Sequence, residues 1–211
     1  MKIVIIDYGS GNLQSVANAL ASLQAGHEIV ISDRPEIVKT ATHLILPGVG
    51  AFADCMQGLK AVEGLSAALH KHAMIEQKPL LGICVGMQVF ASLGYENGEN
   101  KGLGFIDGKV IKIETTAGLK IPHMGWNELA LRPEQASHAI LKQIKNGDHV
   151  YFANSFHFVC QNEGNVLAQV EYGIKLNAVI AKKNIVGIQF HPEKSGEVGL
   201  QILRNFLNWR Y

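Results

Sequence analysis

The sequence has no surplus of either charge. Its 19 Lys and Arg residues stand against 18 Asp and Glu, a formal net charge of +1. That balance gives no electrostatic footprint for nucleic acid or an anionic membrane surface. Charged residues make up only 18% of the chain and hydrophobic ones 47%, a composition that excludes intrinsic disorder. Cysteine is scarce, at Cys55, Cys84 and Cys160, and an odd count without regular spacing excludes a disulfide framework. No apolar run is long. The most hydrophobic stretch, Pro79 to Tyr95, is interrupted by Pro79, three glycines and Gln88, and falls short of the ~20 residues of a membrane helix. The start, MKIVIIDYGSGN, has one Lys and a very short apolar run and is not read as a signal peptide, so a cytoplasmic protein is expected. Cys-x-x-Cys and His-Glu-x-x-His are missing, and His70 and His72 are two apart on an expected helix, so no metal site is expected. Gly9-Ser10-Gly11-Asn12 lacks the full G-x-G-x-x-G, so no nucleotide or other cofactor is expected either. There is no repeat, low-complexity tract or Pro- or Ser-rich linker, so residues 1–211 read as one domain.

What is abundant is glycine, with 22 residues, above the usual ~7% and clustered beside apolar runs. The first half alternates apolar runs with amphipathic ones. Lys2–Ile6, Glu28–Ile31, His43–Leu46 and Leu80–Ile83 read as strands; Asn12–Gln24, Leu59–Ile75 and Val85–Leu93 read as helices. That alternation predicts an α/β fold with a mostly parallel sheet covered by helices on both faces. The second half offers short strands at Val110–Ile113, Val150–Ala153, Val166–Val170, Ala178–Ala181 and Ile185–Phe190, which predict an antiparallel extension of the sheet. A closing helix over Ser195–Trp209 carries Val198, Ile202, Phe206 and Trp209 as an apolar stripe.

Leu80-Leu81-Gly82-Ile83-Cys84-Val85-Gly86-Met87-Gln88 carries the main chemical signal. A strand running through Gly-x-Cys-x-Gly into a helix is the cysteine form of a nucleophile elbow. Its glycines leave room where Cβ atoms would collide, and the thiol stands at a helix N-terminus. The amide of Val85 then points where an oxyanion forms. Cys55 and Cys160 lack such turns. A base is offered by Gln189-Phe190-His191-Pro192-Glu193. The segment reads as a strand that ends in His-Pro-Glu, so His191 and Glu193 can lie on the same side, and the carboxylate can fix the imidazole tautomer. Pro47-Gly48-Val49-Gly50, between a strand and a helix, can turn a backbone N–H toward a reacting carbonyl.

These three motifs, in this order, resemble the class I (triad) glutamine amidotransferases. Within them, Asp7–Leu13, Leu46–Gly50, Pro122–Asn127, Tyr151-Phe152 and His191–Gly196 make the chain similar, over its whole length, to the glutaminase subunits of imidazole glycerol phosphate synthases. The resemblance implies a single-domain amidotransferase fold and hydrolysis of L-glutamine to glutamate and ammonia through a γ-glutamyl thioester on Cys84, with His191 moving protons and Glu193 orienting it. It implies oxyanion donors from Val49, Gly50 and Val85, on a strand held turned away until the synthase site is occupied, which makes Val49 a candidate switch. Gly50, Gln88 and Glu96 would hold the amino-acid end of glutamine, and Ser155 and Phe156 would close the site. The implied partner is a (β/α)8-barrel cyclase that receives the ammonia for histidine synthesis, meeting this chain at Asn12 and Trp126. One departure stands out: Asn154 and Phe156 occupy positions where many relatives carry His and Tyr. It leaves open a paralogous subunit feeding another synthase, beside a standalone γ-glutamyl cysteine hydrolase.

Overall fold

A computed structural model describes residues 1–24, 26–114 and 118–211. In chain order the elements are β1 (Lys2–Ile6), α1 (Leu13–Ser22), β2 (Glu28–Ser32), α2 (Pro35–Lys39), β3 (His43–Gly48), α3 (Phe52–Ala61), α4 (Leu65–His70), β4 (Leu80–Cys84) and α5 (Val85–Gln88). There follow β5 (Leu93–Gly94), β6 (Asn100–Lys101), β7 (Gly108–Lys112), β8 (His123–Glu128), β9 (Ala130–Leu131), β10 (His149–Asn154), β11 (Phe156–Cys160), β12 (Val166–Glu171), β13 (Lys175–Lys182), β14 (Ile185–Ile188) and α6 (Gly196–Asn208).

One eight-stranded sheet organises the molecule, in the order β2-β1-β3-β4-β14-β13-β12-β9. The strands from β2 to β14 are parallel, and β13, β12 and β9 extend the sheet antiparallel. Every residue of β3 and β4 is buried, as expected for parallel strands covered on both faces. One helical group packs α1 on α6; a second packs α4 on α2 and α3, and α3 on α5. On α1 the residues turned to the core are Val16 and Leu20; on α6 they include Ile202, Leu203 and Phe206.

The structure departs from the sequence reading at several places. Leu59–Ile75 is not one helix: Val62 is extended and Gly64 takes φ +77°, so α3 and α4 separate there, and a π turn over Lys71–Ile75 follows. The helix expected over Val85–Leu93 stops at Gln88. The carbonyls of Val89, Phe90 and Ala91 accept from Leu103, Ile106 and Gly104, so tertiary bonds replace the helical ladder. Two of the expected second-half strands leave the large sheet. Val110 lies in β7, within a small sheet ordered β11-β7-β5-β6, and Val150–Ala153 lie in β10, which among the described residues pairs with β8 alone.

Pairing between parallel strands places the chemistry. Gly48, the last residue of β3, is the Cα partner of Cys84, the last residue of β4. On the other side of β4, Ile83 pairs with Ile188, the last residue of β14. The Pro47–Gly50 turn, the cysteine and the segment leading to His191 therefore leave the sheet side by side at its C-terminal edge, where open α/β sheets bind ligands.

Candidate active site

Cys84 has φ +55° and ψ −113°, a backbone conformation that side-chain-bearing residues rarely adopt. The turn is held by close packing. A Cβ on Gly48 would meet the backbone N of Gly86 at 2.6 Å, and a Cβ on Gly86 would collide with the Leu46 carbonyl. Glycine at both positions lets β3 and α5 touch backbone to backbone, which fixes where the sulfur stands.

His191 does not sit on a strand with Glu193. β14 ends at Ile188, and Pro192–Lys194 form a short 3-10 turn with proline at its first position, a placement proline favours as much as a strand end. The two side chains still meet: His191 Nδ1 lies 2.9 Å from Glu193 Oε1, with both side chains at most 5% exposed. Burial alone would lower the His191 pKa. Hydrogen bonding to Cys84 and Glu193 outweighs it and raises the group from 6.5 to about 9. The His191 ring therefore has Glu193 at hydrogen-bond distance and Cys84 near enough to favour its protonated form.

The backbone of His191 is gripped as firmly as its ring. Its N–H donates to Tyr151 O (2.9 Å); its carbonyl accepts from Ser195 Oγ (2.6 Å), which itself accepts from Tyr151 N–H (3.0 Å). β10 thus holds the base in place through Ser195. Neither Ser195 nor Tyr151 was expected in this role. The only hint is a hydroxyl four residues after the histidine, because the partner strand lies 40 positions away in sequence.

A cavity of about 300 Å³ opens above these groups, lined by Asn12, Val49, Gly50, Cys84, Gln88 and Glu96 among others. Val85, Asn154, Ser155, Phe156 and His191 complete the part of the wall that bears on the sequence reading. Every residue proposed to touch glutamine or its oxyanion borders this one cavity. Glu96 accepts from the Phe52 N–H (2.8 Å) through Oε2. Gln88, 2% exposed, gives Nε2 to Phe156 O and to Gln189 Oε1, each at 3.0 Å, so Oε1 is the group it has left to offer. Asn154 Nδ2 also donates to Phe156 O (3.0 Å), so the Phe156 carbonyl is already used within the protein. The Ser155 carbonyl likewise accepts from Ile113 N–H.

Val49 is tied to Ser10 on both sides of its residue. Its N–H donates to Ser10 Oγ (3.0 Å), and its carbonyl accepts from the same hydroxyl (2.6 Å). In this conformation the Val49 N–H is engaged by Ser10. Cys55 lies beneath, within hydrogen-bond reach of Ser10 Oγ (3.4 Å) and Val49 O (3.5 Å). Burial pushes the Cys55 thiol up, and pushes Cys160 up to about 12, which fits both as packing residues. Gly50, next in the turn, has φ +85° and open space around it.

The rim is apolar. Trp126 and Met124, two apart on β8 and therefore on one face, are 56% and 64% exposed. Trp126 meets Tyr151 edge to face, with ring centroids 6.1 Å apart, and is not a core residue.

Comparison with known proteins agrees with this geometry. The glutamine amidotransferase class-I family model matches residues 4–209. A Rhodospirillum rubrum protein named imidazole glycerol phosphate synthase subunit HisH is 49% identical, covering 99% of each chain. A Zymomonas mobilis protein of the same name is 46% identical, covering 98% of this chain and 95% of its own. Among solved structures, PurLQS from Thermotoga maritima superposes with a TM-score of 0.72 at 19% identity, covering 98% of this chain and 97% of that one. The glutaminase domain of Trypanosoma brucei CTPS gives 0.66 at 13% identity, covering 100% and 95%. The last two share the fold.

Proposed function

The chain belongs to the class I glutamine amidotransferase family, and from that premise we propose that Cys84, His191 and Glu193 hydrolyse L-glutamine for a second subunit. It is the glutaminase subunit of an imidazole glycerol phosphate synthase, serving histidine biosynthesis in the cytoplasm. The observation that carries the chemistry is His191, hydrogen-bonded to Glu193 and lining one open cavity together with Cys84.

Glutamine enters with its amino-acid end toward Gln88 and Glu96. The Gln88 Oε1 and a Glu96 carboxylate oxygen are acceptors, suited to the substrate ammonium. His191 takes the Cys84 proton, and the sulfur attacks the side-chain carbonyl. The oxyanion forms against the Val85 N–H and the Val49–Gly50 turn. The protonated imidazole then gives its proton to the amide nitrogen, ammonia leaves, and a γ-glutamyl thioester remains. A water molecule deprotonated by His191 attacks the thioester and frees glutamate. Glu193 holds the imidazole in register throughout.

The released ammonia needs shelter, since in water at neutral pH it is mostly protonated and no longer a nucleophile. A (β/α)8-barrel cyclase seated on the rim at Asn12, Met124 and Trp126 would cover the cavity and receive it. The exposed aromatic anchor supports this over a standalone hydrolase. The engaged Val49 amide supports a resting state that docking releases. The test is Cys84→Ala. It should abolish glutamate formation while leaving ammonia-driven synthesis by the mixed complex intact; loss of the ammonia-driven reaction would refute the partner reading.

A further inference from the structure

We propose that Gln189 is a positioning residue for the nucleophile: its carboxamide N–H groups hold the Cys84 sulfur in its attacking, anionic form. Gln189 Nε2 lies 3.7 Å from Cys84 Sγ, a reach suited to a large sulfur acceptor, and the side chain is 1% exposed. The inference rests on the reading of Cys84 as nucleophile.

The orientation of the carboxamide follows from chemistry. A backbone carbonyl carries no proton, so Phe156 O must face the NH2 group of Gln88. The second hydrogen of that NH2 points at Gln189, which must therefore present its oxygen there. Only one arrangement remains for Gln189: oxygen to Gln88, NH2 to sulfur. A fixed carbonyl on β11 thus sets, through two buried amides, a donor aimed at the thiol. Donors to an anion stabilise it. The register of the sheet brings this about, because Gln189 follows Ile188, the partner of Ile83, and so emerges beside Cys84.

The relay also changes the reading of Gln88. That residue faces the cavity and, through Gln189, braces the nucleophile. A substitution at Gln88 should therefore alter thiol reactivity even with no glutamine present.

Alkylation of Cys84 by iodoacetamide in the full-length chain, followed across pH, reads the proposal directly. Gln189→Glu keeps an acceptor for Gln88 but turns a second acceptor toward sulfur; Gln189→Met removes both contacts at similar size. Both should slow alkylation at neutral pH by about tenfold and displace the rate profile to higher pH. A purely packing role would lower Tm and leave the profile in place, and an undisplaced profile in either folded variant overturns the proposal. In the unmodified chain, the Gln189 side-chain 15N–1H signals should move as the thiol titrates; flat signals overturn it without any variant. Glutamine hydrolysis surviving Cys84→Ala would instead refute the nucleophile assignment itself.

Discussion

At the floor of the cavity Cys84, Gln88, Gln189 and His191 are each at most 4% exposed, the first three joined by hydrogen bonds and His191 bonded to Glu193, whereas at its rim Val49 and Met124, with Trp126 beside them, stand 38%, 64% and 56% exposed. The floor stands on strand ends packed through glycine contacts that admit no Cβ. The rim is built from turns and a two-stranded ribbon, with positive-φ glycines such as Gly50 and Gly125 that have open space around them. The difference teaches where rigidity is needed. Reacting groups must hold their geometry to fractions of an ångström. Under the proposed function, a rim that accepts a partner and reorients a backbone amide gains from loose packing.

The comparison breaks most visibly at Glu193. Glu193→Gln should cut turnover on the order of 10²–10⁴-fold, less than Cys84→Ala, because it removes only the orientation of the base. Equal losses would refute that role. The same substitution tests the electrostatics of the floor. His191 is raised from 6.5 to about 9 in the fold, so its contribution to stability is complete below about pH 6.5 and is lost as pH rises through about 9. Tm should fall across that window in the native chain and fall less in Glu193→Gln. An identical pH dependence would contradict the pairing.

At the rim, Trp126→Ala should weaken association with the cyclase barrel by roughly 2 kcal/mol, about 30-fold in Kd, with stability changed by no more than about 0.5 kcal/mol. A large drop in Tm with an unchanged Kd would move Trp126 into the structural class that its exposure excludes. The smallest effect is expected where floor and rim meet. Ser10→Ala removes one hydrogen bond from the Val49 N–H and one from the Val49 carbonyl, worth about 1 kcal/mol each, so glutamate release by the isolated chain should rise about three- to tenfold. An unchanged or lower rate would mean that Ser10 supports the productive turn.

The floor was far more legible in the sequence than the rim's control elements. The turn at Cys84 was readable because a glycine two residues to either side of a cysteine at a strand end marks a tight strand-to-helix turn. The parallel strands were readable because a fully buried strand is a continuous apolar run, as in β1 and β4. Ser10, Gln189 and Ser195 were not. Their partners Val49, Cys84 and Tyr151 lie 39, 105 and 44 residues away, and side-chain bonds across such distances leave no period in the sequence. The short α5 was missed for a related reason. Val89 to Leu93 has a good helical composition, but its carbonyls are claimed by the 103–106 loop. The His-Pro-Glu pair was foreseen as a contact yet assigned to the wrong local structure, since proline fits both a strand end and the first position of a turn.

The central claim is that this chain carries a complete hydrolytic floor under a rim completed by a partner. It is tested most directly by measuring glutamate release by the chain alone, with the cyclase barrel, and with the barrel and its bound substrate. Low activity alone, rising on the order of 10–100-fold in the full mixture, is the predicted result. Full activity in the isolated chain, unchanged by barrel and substrate, would contradict it.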